Sequence, residues 1–225
     1  MNYQLGSFGV SYSPDGKWVA FFGSSEESAK WKPGVQLPPY ELRLFDMSSK
    51  KYKSLSDDAT PPFSPPLWLS DNQLLYVSYS KELIQIDIET KEKNNWGILN
   101  IYPWALSAHG NQILATDHEY SKIYLLDSVT KSIKQVKEFD KRQLYGPMVW
   151  SPDGESFIYN RTDTRDHLLP QYLWGETPWR LYWHNLETGK EKRISRNPWW
   201  KDPWDDIWLY SGAVWFPEDP FDKTV

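Results

Sequence analysis

The sequence lacks cysteine, long apolar runs and a recognisable leader segment. Its 225 residues include no Cys, which excludes disulfide bonds, thiolate catalysis and cysteine-ligated metal sites. No stretch approaches the roughly 18 consecutive apolar residues of a membrane-spanning helix. The first residues, MNYQLGSFGV, have neither the basic nor the apolar region of a signal peptide. We therefore expect no membrane span, and the compartment stays unknown.

An excess of basic residues is also absent. The 25 Lys and Arg residues are scattered among 30 acidic ones, and the formal net charge is −5. Proteins that bind nucleic acid or an anionic membrane surface usually concentrate positive charge in a patch or stripe. We therefore expect neither of them as a partner.

Aromatic residues and proline are abundant, with 14 Trp, 14 Tyr and 17 Pro. This composition is typical of many short strands joined by elaborate loops. Apolar residues alternate with a period of two, as in ELIQIDI at residues 82–88 and KIYLL at residues 122–126. The sequence therefore predicts an all-β protein.

One turn motif occurs four times along the chain. Its copies are YSPDGKWVAFF, WLSDNQLLYVS, LSAHGNQILAT and WSPDGESFIYN, which begin at residues 12, 68, 106 and 150. Aligned on their turn residue, they are centred on Gly16, Asn72, Gly110 and Gly154. The separations, about 40 to 55 residues, match the size of a four-stranded propeller blade, roughly 40 to 50 residues.

A second motif follows each copy of the first. An apolar strand ends in Asp or Asn, and a hydrophilic turn and another strand come next; the four end residues are Asp46, Asp87, Asp127 and Asn185. Two linked hairpins per copy predict four-stranded antiparallel blades. The predicted single domain, residues 1–225, contains blades at residues 6–57, 62–98, 101–138 and 145–195, with a partial blade at 207–225.

The motif residues resemble the TolB-like propeller repeat, a WD-repeat-like family. The resemblance rests on Ser13-Pro14-Asp15-Gly16-Lys17 and Trp150-Ser151-Pro152-Asp153-Gly154, with degenerate copies at residues 69–72 and 107–110. The sequence is also similar to the propellers that precede the hydrolase domain of prolyl oligopeptidases. The resemblance implies a β-propeller that serves as a scaffold, a receptor or an enzyme lid, and it points towards the bacterial cell envelope.

The chain departs from that family near its end. Residues 210–220, YSGAVWFPEDP, echo residues 145–155, YGPMVWSPDGE, so a fifth blade begins there and then stops. A family member needs the rest of that blade, and usually a sixth, to close its ring. Either the chain is a fragment of a longer five- or six-bladed ring, or it closes by pairing with its N-terminal segment or with another chain.

Two blades carry long connections between their middle strands. These are residues 24–39 in blade 1 and 161–178 in blade 4, and they share a predicted face with the aromatic inter-blade loops at 56–66 and 195–206. Such loops commonly bind ligands, although they also fold back as a lid over their own blade. The predicted ligand-binding residues are Trp31, Trp174, Trp179, Trp199, Trp200, Trp204, Arg165 and Asp205.

No pattern for catalysis, metal or cofactor binding stands out. The four histidines have no recognisable ligand spacing. Acidic clusters such as Asp202, Asp205 and Asp206, or Glu26 and Glu27, are typical of solvated loops, although a glycosidase pair is the alternative. There is no G-x-S-x-G, P-loop or G-x-G-x-x-G motif. We expect no catalytic residue, no metal and no cofactor.

The sequence therefore predicts a non-catalytic propeller that binds a protein, a peptide or a polysaccharide through an aromatic face. Flat indole rings suit sugar faces and proline-rich or aromatic segments. One alternative is a carbohydrate-active enzyme or its binding domain. Another is the propeller of a longer peptidase, and pairing with another chain through an open propeller edge is also left open.

Overall fold

The computed structural model describes residues 9–24, 39–60, 64–139, 144, 148–162 and 179–194. Within them the backbone forms sixteen β-strands and no helix, so no helix there is long and apolar enough to cross a membrane. The strands form four antiparallel sheets of four, each in sequence order. Consecutive up-and-down sheets of this kind are the blades of a β-propeller, which confirms the predicted fold class. The predicted start of a fifth blade lies outside the described residues.

Each blade is a four-stranded meander. Blade 1 contains β1 (Val10–Tyr12), β2 (Trp18–Ser24), β3 (Tyr40–Asp46) and β4 (Tyr52–Ala59). Blade 2 contains β5 (Leu67–Trp68), β6 (Gln73–Val77), β7 (Glu82–Asp87) and β8 (Lys93–Leu99). Blade 3 contains β9 (Ile101–Leu106), β10 (Gln112–Asp117), β11 (Lys122–Asp127) and β12 (Ile133–Glu138). Blade 4 contains β13 (Val149–Trp150), β14 (Ser156–Thr162), β15 (Trp179–Asn185) and β16 (Glu191–Arg193).

The first repeated motif forms the hairpin between the first and second strands of a blade. In blade 1 the Ser13 N–H donates to the Trp18 carbonyl and the Gly16 N–H donates to the Ser13 carbonyl, both at 2.9 Å. The Ser13 hydroxyl donates to Asp15 at 2.7 Å and accepts from the Trp18 N–H at 2.9 Å. Gly16 adopts φ 71° and Gly154, its counterpart in blade 4, φ 74°. This left-handed conformation explains the glycine, which has no Cβ to clash.

Blade 2 closes the same hairpin differently. The Leu69 N–H donates to the Gln73 carbonyl at 2.9 Å, so the turn is one residue shorter than in blade 1. Asn72 aligns with the glycines in sequence but does not adopt a positive φ. The shorter turn needs no left-handed residue at that position, which explains why glycine is not required there.

The second repeated motif forms the hairpin between the third and fourth strands. In blade 1 the Asp46 carboxylate accepts from the Ser48 N–H at 2.8 Å and the Ser49 N–H at 3.2 Å. The Lys50 N–H donates to the Asp46 carbonyl at 2.9 Å, and Lys50 adopts φ 58°. The corresponding left-handed residues of blades 2, 3 and 4 are Lys91, Lys131 and Gly189. The short acceptor side chain at the strand end therefore fixes the turn.

The blades pack face to face through three apolar cores. The core between blades 1 and 2 includes Phe22, Leu44, Leu74, Tyr76 and Ile86. The core between blades 2 and 3 includes Leu75, Leu83, Trp96, Ile113 and Leu126. The core between blades 3 and 4 includes Trp104, Leu114, Phe157, Tyr159 and Tyr182. Burying each such side chain contributes about 1.5–3 kcal/mol, so the contacts between blades hold the array together.

Tryptophans also tie the innermost strands together. Strand β1 contacts β5, β5 contacts β9, and β9 contacts β13, which places the first strand of every blade innermost. The Trp68 indole N–H donates to the Ser11 carbonyl of blade 1 at 3.1 Å. The Trp150 indole N–H likewise donates to the Ala105 carbonyl of blade 3 at 3.0 Å. In blades 2 and 4 the first strand is therefore anchored to the preceding blade.

Candidate functional site

Most of the predicted ligand-binding residues lie outside the described part of the chain. They are Trp31, Trp174, Trp199, Trp200, Trp204, Arg165 and Asp205. The remaining one, Trp179, begins β15, where its backbone pairs with Thr162 of β14. The aromatic site therefore stays a prediction.

The scaffold nevertheless fixes where both long connections begin and end. In blade 1 the pairing of β2 with β3 continues to Ser24 and Tyr40, and in blade 4 the pairing of β14 with β15 continues to Thr162 and Trp179. In a four-stranded meander, connections between the second and third strands emerge at the end opposite the Ser13 to Lys17 type of hairpin. We call this end of the propeller the insertion face, and the other end the hairpin face.

Blades 2 and 3 close the same connection with tight turns. In blade 2 the turn spans residues 78–81, and the Ser78 hydroxyl accepts from the Glu82 N–H at 3.1 Å. In blade 3 the Asp117 carboxylate accepts from the N–H groups of Ser121 at 2.7 Å and Lys122 at 3.0 Å. Among the four described blades, only blades 1 and 4 therefore have a long connection between their second and third strands.

The histidines have structural positions where they are described. His109 lies in the first hairpin of blade 3, and His118 follows Asp117, whose carboxylate is already engaged in the turn. His184 lies in β15 and is buried. Across the described ranges, no three His, Asp or Glu side chains are grouped to hold a metal ion.

A polar cluster joins blades 3 and 4 around the Glu191 carboxylate. Glu191 begins β16 and accepts hydrogen bonds from Lys137 of β12 and from the Tyr159 hydroxyl of β14. Arg161, also of β14, donates to it at 3.0 Å and lies 3.8 Å from the centre of the Tyr182 ring. One acidic side chain thus receives three donors from two blades.

The electrostatics of this cluster favour the ionised form of Glu191. Burial raises the pKa of its carboxyl, but the hydrogen bonds from Lys137 and Tyr159 and the charge of Arg161 outweigh burial and lower the pKa below its ordinary value. Burial and the neighbouring carboxylate raise the pKa of the Tyr159 hydroxyl. Tyr159 therefore acts as a neutral hydrogen-bond donor, and Glu191 as its charged acceptor.

A cleft lies beside this cluster on the hairpin face. It has a volume of 620 Å³ and runs between β11 and β12 of blade 3 and the hairpins of blade 4. Its lining combines apolar Leu125, Val136 and Leu186 with charged Lys137 and Glu187. The lining carries charges of both signs and is not a preformed pocket for one charge type.

His184 also lines the cleft and is the most unusual group there. It is 6% exposed, and its ring contacts Phe157 in a tilted arrangement with ring centres 5.1 Å apart and an interplanar angle of 43°. Its Nδ1 atom is buried and has no hydrogen-bond partner among the described residues. Burial, together with the positive charge of Lys137, lowers the pKa of His184. A neutral imidazole is therefore favoured at neutral pH.

Blades 1 and 2 contain a similar cluster with the charges exchanged. The Asp58 carboxylate of β4 accepts from the Tyr76 hydroxyl at 2.8 Å and from Lys93 at 3.0 Å. Tyr76 and Tyr159 are each the fourth residue of their blade's second strand, and Lys93 and Glu191 each begin the fourth strand. The carboxylate therefore lies on the earlier blade in the Asp58 cluster and on the later blade in the Glu191 cluster, where Lys137 comes from the earlier blade and Arg161 from the later one.

Sequence reasoning did not identify these two clusters. The available signal was a tyrosine after each turn, Tyr76 four residues after Asn72 and Tyr159 five residues after Gly154; the two positions coincide only when the shorter turn of blade 2 is taken into account. Their charged partners come from the fourth strands, where motif similarity is weakest. Both clusters fasten adjacent blades and show no nucleophile or acid–base pair arranged for a reaction.

No family model matches the sequence, and no curated protein matches it significantly. Solved structures do match its fold. The crystal structure of TolB from Acinetobacter baumannii is 15% identical, with a TM-score of 0.53 over 83% of this chain and 43% of that chain. An auxiliary nutrient binding protein from Bacteroides thetaiotaomicron is 8% identical, with a TM-score of 0.60 over 89% of this chain and 44% of that one.

An oligogalacturonate lyase solved in complex with manganese is also similar. It is 12% identical, with a TM-score of 0.57 over 83% of this chain and 52% of the lyase. The chain spans about half the length of these three proteins, and at such identities the similarity shows the fold alone. The protein is therefore a β-propeller with the fold of TolB and TolB-like structures.

Proposed function

We propose that this propeller is a non-catalytic binding module and that its ligand, a protein, a peptide or a glycan, contacts the insertion face. The observation that supports this proposal is the contrast between the blades. The middle strands of blades 1 and 4 stay paired up to Ser24 and Thr162 and then lead into long connections, whereas blades 2 and 3 close with tight turns. Loops held by a rigid scaffold are the usual location of binding residues.

Tryptophan supplies the chemistry of the proposed site. The long connections and the loop after blade 4 contain Trp31, Trp174, Trp199, Trp200 and Trp204, and Trp179 begins β15. Indole rings present a large apolar face and one N–H donor, which suits stacking against sugar rings or against proline-rich and aromatic peptide segments. Arg165 and Asp205 are proposed as polar contacts at the edge of the site.

Two structural neighbours bear on the choice of ligand. One is named as a nutrient binding protein, which is consistent with a propeller that binds without catalysis. Another is an oligogalacturonate lyase, which favours a carbohydrate-active enzyme or its binding domain as the second candidate. The propeller of a longer peptidase, and a location at the cell envelope, remain proposals from the sequence resemblance.

Tryptophan fluorescence tests the proposal directly. A panel of oligosaccharides and a panel of proline-rich and aromatic peptides are titrated against the full chain, and one panel is expected to shift or quench the emission. Trp174→Ala and Trp200→Ala should then weaken binding about tenfold or more, as is usual for buried aromatic anchors. Val129→Ser is the matched control, because Val129 is 78% exposed on the hairpin face and its replacement should leave affinity unchanged.

Two results would overturn the proposal. Equal weakening of binding by the Val129 variant and the tryptophan variants would place the ligand elsewhere. Turnover of an oligosaccharide by purified protein, with a stoichiometric divalent metal in elemental analysis, would identify an enzyme instead of a binding module.

A further inference from the structure

His184 occupies a core position that is aliphatic in two other blades. In β7 and β11 the residue before the terminal Asp is Ile86 or Leu126, and each is 0% exposed. Ile86 belongs to the core between blades 1 and 2, and Leu126 to the core between blades 2 and 3. In β15 the corresponding residue, before Asn185, is His184, which is 6% exposed. An imidazole therefore stands where the repeat places an aliphatic contact with the preceding blade.

The fold gains no hydrogen bond from the Nδ1 atom of this imidazole. Nδ1 is buried and has no partner among the described residues. A buried polar atom without a partner destabilises the folded state, whereas an aliphatic side chain of similar size would stabilise it. The ring lines the 620 Å³ cleft between blades 3 and 4. An unsatisfied buried group at the wall of a cleft points to a ligand as the reason for its presence.

The contact between blades 3 and 4 is open around His184. At the contact between blades 1 and 2 the corresponding positions are closed by Leu44, Ile86 and Ile88, which are at most 2% exposed. Between blades 3 and 4, Leu125 and Leu186 hold two of these positions, but they are only partly buried and line the cleft. The volume of the cleft lies within the range of small-molecule sites, roughly 300–1,000 Å³. The opening is therefore a local departure from the way the first two blades pack.

Charges of opposite sign lie on the two walls of the cleft. Lys134 of β12 is on the side of blade 3, and Glu155 and Glu187, from the two hairpins of blade 4, are on the other side. All three are exposed, and none belongs to an ion pair within the described ranges. An apolar floor between a cation and two carboxylates complements a ligand that has an apolar body and one charge of each sign.

We propose that this cleft binds a short apolar peptide with free termini. Its side chains pack against Leu125 and Leu186, and the His184 imidazole hydrogen-bonds its backbone. Its α-carboxylate pairs with Lys134, and its α-ammonium group pairs with the two glutamates of blade 4. The site lies at the hairpin face, at the opposite end of the propeller from the insertion face, so it does not depend on the function proposed above.

Titration of tri-leucine into the full chain tests the proposal. Isothermal calorimetry should give saturable heat, and NMR signals of blades 3 and 4 should shift. Tri-leucine with an acetylated N-terminus and an amidated C-terminus is the matched ligand control, and it should bind at least about tenfold more weakly because both charged contacts are lost. Trp174→Ala and Trp200→Ala should leave the affinity for tri-leucine unchanged.

Two substitutions separate a ligand-binding role of His184 from a structural one. His184→Leu restores the aliphatic residue of the other blades, so it should raise the urea midpoint while weakening tri-leucine binding at least about tenfold. Lys134→Gln changes an exposed side chain and should weaken binding without altering the urea midpoint. Lys51→Gln is its control, because Lys51 is equally exposed but lies in blade 1, away from the cleft; the affinity should not change.

Four results would overturn the proposal. These are no binding of tri-leucine at about 5 mM, equal affinity for the free and the blocked peptide, unchanged affinity in His184→Leu, and equal weakening by Lys134→Gln and Lys51→Gln. Loss of tri-leucine binding in the tryptophan variants, with the cleft variants unaffected, would also overturn it and would instead favour the insertion face as the peptide site.

Discussion

Replacing Glu191 by glutamine is expected to weaken the contact between blades 3 and 4. The side chains of Glu191, Lys137 and Arg161 are only 17–24% exposed, so solvent screens their charges incompletely. Glutamine retains an acceptor oxygen for Tyr159 but removes the negative charge, which leaves two cations without their common partner. A hydrogen bond to a charged group contributes about 1.5–3 kcal/mol. We therefore expect Glu191→Gln to lower the free energy of unfolding by about 2 kcal/mol.

Urea denaturation followed by tryptophan fluorescence measures this loss, and a double-mutant cycle with Lys137→Met isolates the pairwise energy. The matched control is the cycle of Asp58→Asn with Lys93→Met. That ion pair joins blades 1 and 2 but is 43% and 38% exposed, so its coupling should be only about 0.2–1 kcal/mol. Equal coupling energies in the two cycles, or a Glu191→Gln variant as stable as the parent protein, would refute this reasoning.

Three further results are expected. The pKa of Glu191 is lower in the folded than in the unfolded protein, so the folded state binds fewer protons, and the free energy of unfolding should fall as the pH drops below about 4.5. The fall should be less steep in Glu191→Gln; parallel urea-midpoint profiles for the two proteins would contradict this. Gly189→Lys should lower the free energy of unfolding by about 1 kcal/mol, because φ is 64° at this position. Lys131→Gly, at φ 60° in the equivalent turn of blade 3, should be neutral or stabilising; destabilisation by both substitutions in urea or thermal unfolding would argue against a backbone cause. Trp150→Phe should lower the free energy of unfolding by about 1–3 kcal/mol, because the Ala105 carbonyl loses its donor; an unchanged urea midpoint would show that the indole hydrogen bond is dispensable.

The hairpins show how far local sequence predicts structure. Gly16 and Gly154 occupy left-handed positions that the repeated Ser-Pro-Asp-Gly pattern indicates, because the Ser and Asp side chains bond only to backbone and side chains within their own turn. Asn72 shows the limit of this reasoning. Asn72 aligns with Gly16 in sequence, but the turn of blade 2 is one residue shorter than that of blade 1. A degenerate motif does not reveal such a change in turn length.

The inter-blade clusters could not be predicted in the same way. Glu191 is one of 30 acidic residues, and its partners Lys137 and Tyr159 are 54 and 32 residues away in sequence. Their approach depends on the pleat of β16, the register of β14 and the distance at which blade 4 packs on blade 3. The predicted tryptophan site is a different case, because it rests on loop composition and its residues, apart from Trp179 at the start of β15, lie outside the described ranges.

The sequence by itself determined the all-β class, the repeat and the two kinds of hairpin. Each of these depends on neighbouring residues, on alternation with a period of two and on turn residues that bond to their own backbone. Only the tertiary structure decided that Trp68 and Trp150 reach the preceding blade, that Tyr12 is exposed where these two tryptophans are buried, and that Glu191 joins three donors. Those relations depend on how separate sheets are placed against one another, and that placement arises from burying many apolar side chains at once.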